Sequence, residues 1–276
     1  MTELVSRSAA AVGEAAAPVL FYSQTVSFER IWPEIKRHIG EMFDRTTYSN
    51  GPKVAQFEAA IREYTGARHA IAVSSGTDAL IMLLRATGIG PGDEVVVPAF
   101  TFAASATSVA LVGARPAFVD IEPETYNIDP VSAAAAVTDR TRAIMPVHLF
   151  CQMADMTAMA ELATDRELLV LEDSAEAIGM RWDGRHAGLL GTGGVLSFFP
   201  TKTLGAFGDA GMILTDDEDV ARAAYALRNH GRMFPGTDPG DGAAVSPGDA
   251  RLPADLTRTV GLPAEVAALA GVAALA

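Results

Sequence analysis

The sequence predicts an α/β fold: three layers, α/β/α, around a mixed, mostly parallel sheet. Two observations carry this expectation. Short apolar runs of strand length alternate with stretches of helical periodicity along most of the chain. Strands that alternate with helices in this way form a sheet covered on both faces. The 276 residues, about half of them apolar, suffice for one large core or for one core plus a small appendage.

Taken in order, residues 1–25 read as a flexible N-terminal arm, because Glu14 interrupts an Ala-rich run before it takes signal-peptide form. Ile31, Ile35, Ile39, Met42 and Phe43 lie at helical spacing within 28–46, and Val54 to Tyr64 forms a second such run, stopped by Gly66. His69 to Val73 reads as a short buried strand and Thr77 to Ala86 as a helix. Asp93 introduces a strand over Glu94 to Val97 that closes at Pro98. A helix from Ala103 to Val112 leads through Gly113 to a strand over Pro116 to Asp120. Strands follow at Ala143 to Val147 and Leu168 to Leu171, with a helix over Met156 to Ala163 between them. Val195 to Phe199 and Met212 to Thr215 are the last strands, and Glu218 to Arg228 is the last helix.

Composition narrows the partners. A net charge of -13 opposes nucleic acid and anionic membrane surfaces, so a phosphorylated ligand must be met by local donors. No apolar run is long enough for a spanning helix. The single Cys151 has no internal disulfide partner, which fits a reducing cytoplasm. The five histidines are scattered without ligand spacing, so no metal site is expected.

In sheets of this kind ligands sit at the carboxyl ends of the strands. Four candidate segments fall there. Ser75-Gly76-Thr77 turns a strand into a helix, where unpaired amides and the helix dipole attract an anion such as phosphate. A plain helix cap is the competing reading of that tripeptide. Ser197, placed at the start of the Ser197-to-Gly205 run, offers a second hydroxyl. Phe102 follows another strand and can cover one face of a flat heteroaromatic ring; Phe100 competes for that role, and both can equally be core. Asp173 ends a third strand beside Glu172. In a strand the two carboxylates point to opposite faces, so only one can serve the site.

Lys202 follows the fourth strand. A lysine and an aspartate at neighbouring strand ends suit pyridoxal phosphate: the amine forms a Schiff base, and the acid keeps the pyridine nitrogen protonated. As a free amine the lysine also moves the proton between substrate and cofactor carbons. Glu176 stands where it can reach the ring hydroxyl or a supporting amide, or it is simply an exposed residue. Gly205, Gly208 and Gly211 leave room for a cofactor. His230 either assists an anionic substrate or ends a helix in solvent.

From Gly51 to Arg232 the chain resembles the sugar aminotransferases of the DegT/DnrJ/EryC1/StrS family, whose large domain has the fold type I architecture of pyridoxal phosphate enzymes. The matching stretches include Ser75 to Leu80, Gly90 to Val95, Thr101-Phe102, Val119 to Ile121, Pro146 to Leu149, Glu172 to Glu176, Ser197 to Gly205 and Arg228 to Gly231. The resemblance implies pyridoxal 5'-phosphate on Lys202, with Asp173 at the ring nitrogen. It places Gly76, Thr77 and Ser197 at the phosphate, beside Ser75, and stacks Phe102 on the ring. It further implies an amino donor, usually glutamate, an acceptor that is a nucleotide-linked keto-sugar or a keto-cyclitol, and a homodimer. The family's dehydratase branch carries histidine at the lysine position, so Lys202 favours amino transfer. The family usually has glutamine or histidine at 176 and often glycine at 151.

Residues 26–232 are therefore expected to form the cofactor-binding large domain, and 233–276 a divergent or truncated tail. From 235 onward the chain has no aromatic residue and no lysine, and it lacks the family's Asn-x-Arg segment. Aminotransferase residues with impaired activity are the expectation for such a chain. The alternative is a non-catalytic protein of the same fold, or a remnant that pairs with an intact homologue.

Overall fold

The computed structural model describes residues 23, 25–46 and 48–231. The expected tail lies outside these residues, as does nearly all of the expected arm. The chain divides into two compact units between Thr46 and Thr47.

The first unit contains helix α1, Thr25–Arg45. Its predicted apolar spacing is matched by an ionic face, on which Arg37 bridges Glu34 and Glu41 at the i−3 and i+4 positions.

The second unit opens with helix α2, Pro52–Thr65, which starts on a proline at its first turn and ends at Gly66 in the left-handed conformation. There follow β1 (His69–Val73), α3 (Gly76–Ala86), β2 (Glu94–Pro98), α4 (Ala103–Leu111) and β3 (Arg115–Val119). Next come α5 (Pro130–Ala136), β4 (Thr141–Ile144), α6 (Met156–Arg166) and β5 (Leu169–Asp173). The unit closes with a small hairpin, β6 (Arg181–Trp182) and β7 (Arg185–His186), then β8 (Gly193–Ser197), β9 (Gly211–Thr215) and α7 (Glu218–Arg228).

Seven strands form one sheet in the order β1-β9-β8-β5-β4-β2-β3. β3, β2, β4, β5 and β8 pair in parallel, and β9 runs antiparallel between β8 and β1. Side-chain alternation sends Val95 and Val97 into a core with residues of α3, α4 and α7, while Val96 enters a second core with residues of α5 and α6. A third cluster packs Ile61 of α2 against Ala70, Leu196, Phe198 and Met212. The predicted three-layer arrangement follows from this alternation.

β1 forms an edge, and three of its outward backbone groups are covered by side chains. Glu58 accepts from the Ala72 amide at 2.9 Å, and Arg228 donates to the Ala72 carbonyl at 3.1 Å. The Tyr225 hydroxyl donates to the Ala70 carbonyl at 3.5 Å. Burial pushes that phenol up to about 12, so it stays a donor at all ordinary pH. An edge whose outward groups are occupied offers little template for another strand.

At the amino end of β2, away from the strand ends singled out above, Glu94 is buried. It accepts from Thr138, Arg115 and Arg140 at 2.7–3.1 Å. The Thr138 hydroxyl and the two guanidiniums hold its carboxyl down to about 2. A carboxylate free in the unfolded chain takes up its proton near 4.3. The stability contributed by Glu94 is therefore complete above that pH and disappears as the pH falls toward 2. Urea midpoints measured from pH 5 to pH 2 should show the gap between the wild type and Glu94→Gln closing over that window.

Two strand expectations shift by two residues or more at both ends, and others by one or two residues at an end. The run Ala143 to Val147 begins earlier, at Thr141, and regular pairing stops at Ile144 because Pro146 has no amide to donate. Val147 still bridges to Asp173. The run Val195 to Phe199 becomes Gly193–Ser197. Ser197 thus ends a strand instead of starting one, since the chain turns at Phe199 with the Lys202 amide donating to the Phe199 carbonyl at 2.8 Å.

Candidate active site

The carboxyl ends of β1, β8 and β5 meet at one rim, and the local sequence explains how. Ser75 caps α3 by accepting from the Asp78 amide at 3.0 Å, and its hydroxyl donates to the Asp78 carboxylate at 3.0 Å. The Ser75 side chain therefore performs the capping role, and an anion is left the first-turn amides of the helix. Gly76, the first residue of α3, lies against Ser197. A Cβ at Gly76 would stand 2.8 Å from the Ser197 Cβ and 3.1 Å from its Oγ. The two segments expected to share a phosphate are thus adjacent, with Thr77 in the same first turn.

Gly211 makes this approach feasible. A Cβ there would stand 2.3 Å from the Ser75 carbonyl group and 2.6 Å from the Gly76 nitrogen. Its expected role, room for a cofactor, is corrected to room for the backbone of the α3 cap. Gly208 has a φ of +138° and open space around it.

Asp173 ends β5 with only 4 % of its surface exposed. Its Oδ2 accepts from Ser105 of α4 at 2.6 Å and its Oδ1 from the Ala175 amide at 3.3 Å. Burial pushes the Asp173 carboxyl above the ordinary range; the Ser105 and Ala175 hydrogen bonds and the nearby Lys202 ammonium pull it back. Ser105 was not among the sequence candidates. It is a polar residue one turn past Phe102 on the inward face of a helix, and that pattern was its only signal.

Glu172 points to the other face, as strand geometry requires, and performs a different task. Fully buried, it accepts from the amides of Gly188, Leu190 and Gly191 at 2.6–2.9 Å and pairs with His148 Nε2 at 3.1 Å. His148 Nδ1 accepts from the Ala154 amide, so the ring proton lies on Nε2, facing Glu172. Of the two carboxylates, Glu172 is thus taken up by the loop and His148, and Asp173 is the one that faces Ser105.

Lys202 stands in the turn after β8 with its side chain 21 % exposed, and its Nζ donates to Glu176 Oε1 at 2.8 Å. The turn is held by the Ala206 amide on the Phe198 carbonyl at 2.7 Å, with Phe198 buried edge-on against Phe57. Phe102 precedes α4 and is 75 % exposed. Phe100 instead joins Tyr126 and Phe150 in a cluster with centroids 5.5–6.2 Å apart. Of the two phenylalanines, Phe102 alone is outside that cluster. Phe150 and Cys151 both have positive φ, 52° and 61°. A left-handed backbone at 151 explains why glycine suits this position.

The residues fit pyridoxal phosphate by their donor set. A helix start beside a serine suits the phosphate, a buried carboxylate suits a cationic ring nitrogen, and a half-buried amine suits the aldehyde. Among the described residues no group of three His, Cys, Asp or Glu side chains is arranged to hold a metal, and no helix is long and apolar enough to cross a membrane.

A sequence family described as the DegT/DnrJ/EryC1/StrS aminotransferase family matches residues 29–240. A protein of Geobacillus stearothermophilus named pleiotropic regulatory protein is 48% identical over 214 residues, which is 78% of this chain and 57% of that one. The UDP-2-acetamido-2-deoxy-3-oxo-D-glucuronate aminotransferase of Pseudomonas aeruginosa is 42% identical over 203 residues, covering 74% of this chain and 56% of that one. The crystal structure of NtdA from Bacillus subtilis with bound cofactor PMP superposes with a TM-score of 0.72 at 33% identity, over 85% of this chain and 52% of that one. The chain thus spans a little over half the length of these proteins.

Proposed function

The chain belongs to the DegT/DnrJ/EryC1/StrS aminotransferase family, and on that premise we infer that it transfers an amino group, with pyridoxal 5'-phosphate, to a keto-sugar or keto-cyclitol. The observation that carries this reading is the gathering of Lys202, Asp173 and the Gly76–Ser197 contact at one rim. A nucleotide-linked keto-sugar is the preferred acceptor, since the 42%-identical Pseudomonas relative is named for one. Glutamate as donor, a homodimer as the working assembly and a cytoplasmic location complete the proposal.

When bound, the cofactor supplies an electron sink for the carbanion formed at the amino-bearing carbon. The protein's part is positioning and proton transfer. The α3 amides and Ser197 hold the phosphate, and Thr77 adds a hydroxyl to them. Asp173, oriented by Ser105, keeps the ring nitrogen cationic. Phe102 covers one ring face. Lys202 would hold the aldehyde and, as a free amine, would carry the proton at the substrate carbon.

The test is a half-reaction. Glutamate added to the chain loaded with pyridoxal phosphate should convert the aldehyde-form absorption to that of the amine form, and a keto-sugar nucleotide should reverse it. No spectral change with any amino donor contradicts the proposal. It would favour a second reading, a non-catalytic regulator, which rests on the name of the Geobacillus relative.

A further inference from the structure

We propose that Glu176 is the counter-ion of the unattached Lys202 and gates the capture of cofactor; this rests on the reading above that Lys202 is the attachment residue. The pair is built into the fold. Glu176 lies in the turn after β5, fixed by the Ser174 amide on the Val195 carbonyl at 3.1 Å and the Ala177 amide on the Ser174 carbonyl at 2.9 Å. Lys202 lies in the turn after β8, fixed by its own amide on the Phe199 carbonyl. β5 and β8 are neighbours in the sheet, so the two turns present a carboxylate and an amine to each other at 2.8 Å.

An alkylammonium and a carboxylic acid differ as acids by about 6 pK units, so the proton between such partners stays on nitrogen. Nitrogen in that form has no lone pair to offer. Attachment needs Nζ to leave Glu176 and to give one proton to solvent. The lone pair then forms the C–N bond, the aldehyde oxygen departs as water, and the sum is ammonium plus aldehyde giving imine, water and one proton. Afterwards Nζ no longer offers the three N–H donors of an ammonium, and Glu176 is free to take another donor. The carboxylate therefore opposes capture, and its amide isostere keeps a hydrogen-bond acceptor without the charge.

Glu176 is 40 % exposed and Lys202 21 %, so the expected effect is that of a partly solvated pair. Glu176→Gln should capture pyridoxal phosphate about two- to fivefold faster than the wild type at low ionic strength, with the ratio shrinking as salt is added. The measurement mixes each protein with pyridoxal phosphate, quenches with borohydride at set times and quantifies the reduced adduct on the Lys202 peptide. Equal or slower capture by Glu176→Gln, with adduct forming at Lys202 in both proteins, overturns the gate alone. Absence of adduct at Lys202 in the wild type overturns the attachment reading and the gate with it.

Discussion

Lys202→Ala is expected to lose covalent capture of pyridoxal phosphate altogether and to lower amino transfer by at least about 10³-fold. The proposed function gives one nitrogen two roles, attachment and proton transfer, and the turn after β8 holds that residue at the rim. Lys202→Arg separates charge from chemistry: the guanidinium keeps the cation beside Glu176 but is neither a nucleophile nor a base at neutral pH. Both variants should retain the urea midpoint of the wild type within error, because the ion pair that they alter is partly exposed. Single-turnover rates and urea unfolding on the same preparations check both parts. Appreciable turnover by Lys202→Arg would place the proton transfer elsewhere.

The largest stability effect should come from Glu172→Ala. The substitution leaves the amides of Gly188, Leu190 and Gly191 and the Nε2 proton of His148 without their acceptor in the interior. The loop cannot relax to find others. A Cβ at Gly194 would stand 2.3 Å from the Gly188 Cα, and one at Gly191 2.3 Å from the Val170 carbonyl oxygen. Removing one side of a buried, hydrogen-bonded charge site costs about 3–5 kcal/mol. At the usual urea sensitivity of small proteins that lowers the midpoint by more than about 1 M. Glu172→Gln, which keeps one acceptor oxygen, should fall between. Because Glu172 precedes Asp173 in β5, the loss should also weaken cofactor capture. A midpoint unchanged in Glu172→Ala would mean that the loop holds itself.

Much of this arrangement was legible from residue patterns. His69 to Val73, Glu94 to Pro98 and Glu218 to Arg228 match their elements residue for residue, because short β-branched or apolar runs bounded by glycine, proline or aspartate leave few alternatives. The hairpin at 181–186 and helix α5 escaped notice. The first has only two residues per strand; the second is seven residues long, although Asp129-Pro130 is a proper cap and start. Among the candidate site residues, Lys202 and Asp173 are legible from their position after strands. Ser105 and His148 were not, since their importance depends on which side chain faces them across the fold. Gly211 is legible as a missing side chain, but its neighbour, the Ser75–Gly76 backbone, is not: sequence marks where a side chain is missing and not what fills the space.

Whether this chain gathers a working attachment site at the rim of its sheet can be tested by peptide mapping. The sequence contains only three lysines, Lys36, Lys53 and Lys202, so the result is easily read. After incubation with pyridoxal phosphate and borohydride reduction, the adduct should appear on Lys202 and disappear in Lys202→Ala. Adduct spread over Lys36 and Lys53, or absent from Lys202, would contradict the site described above.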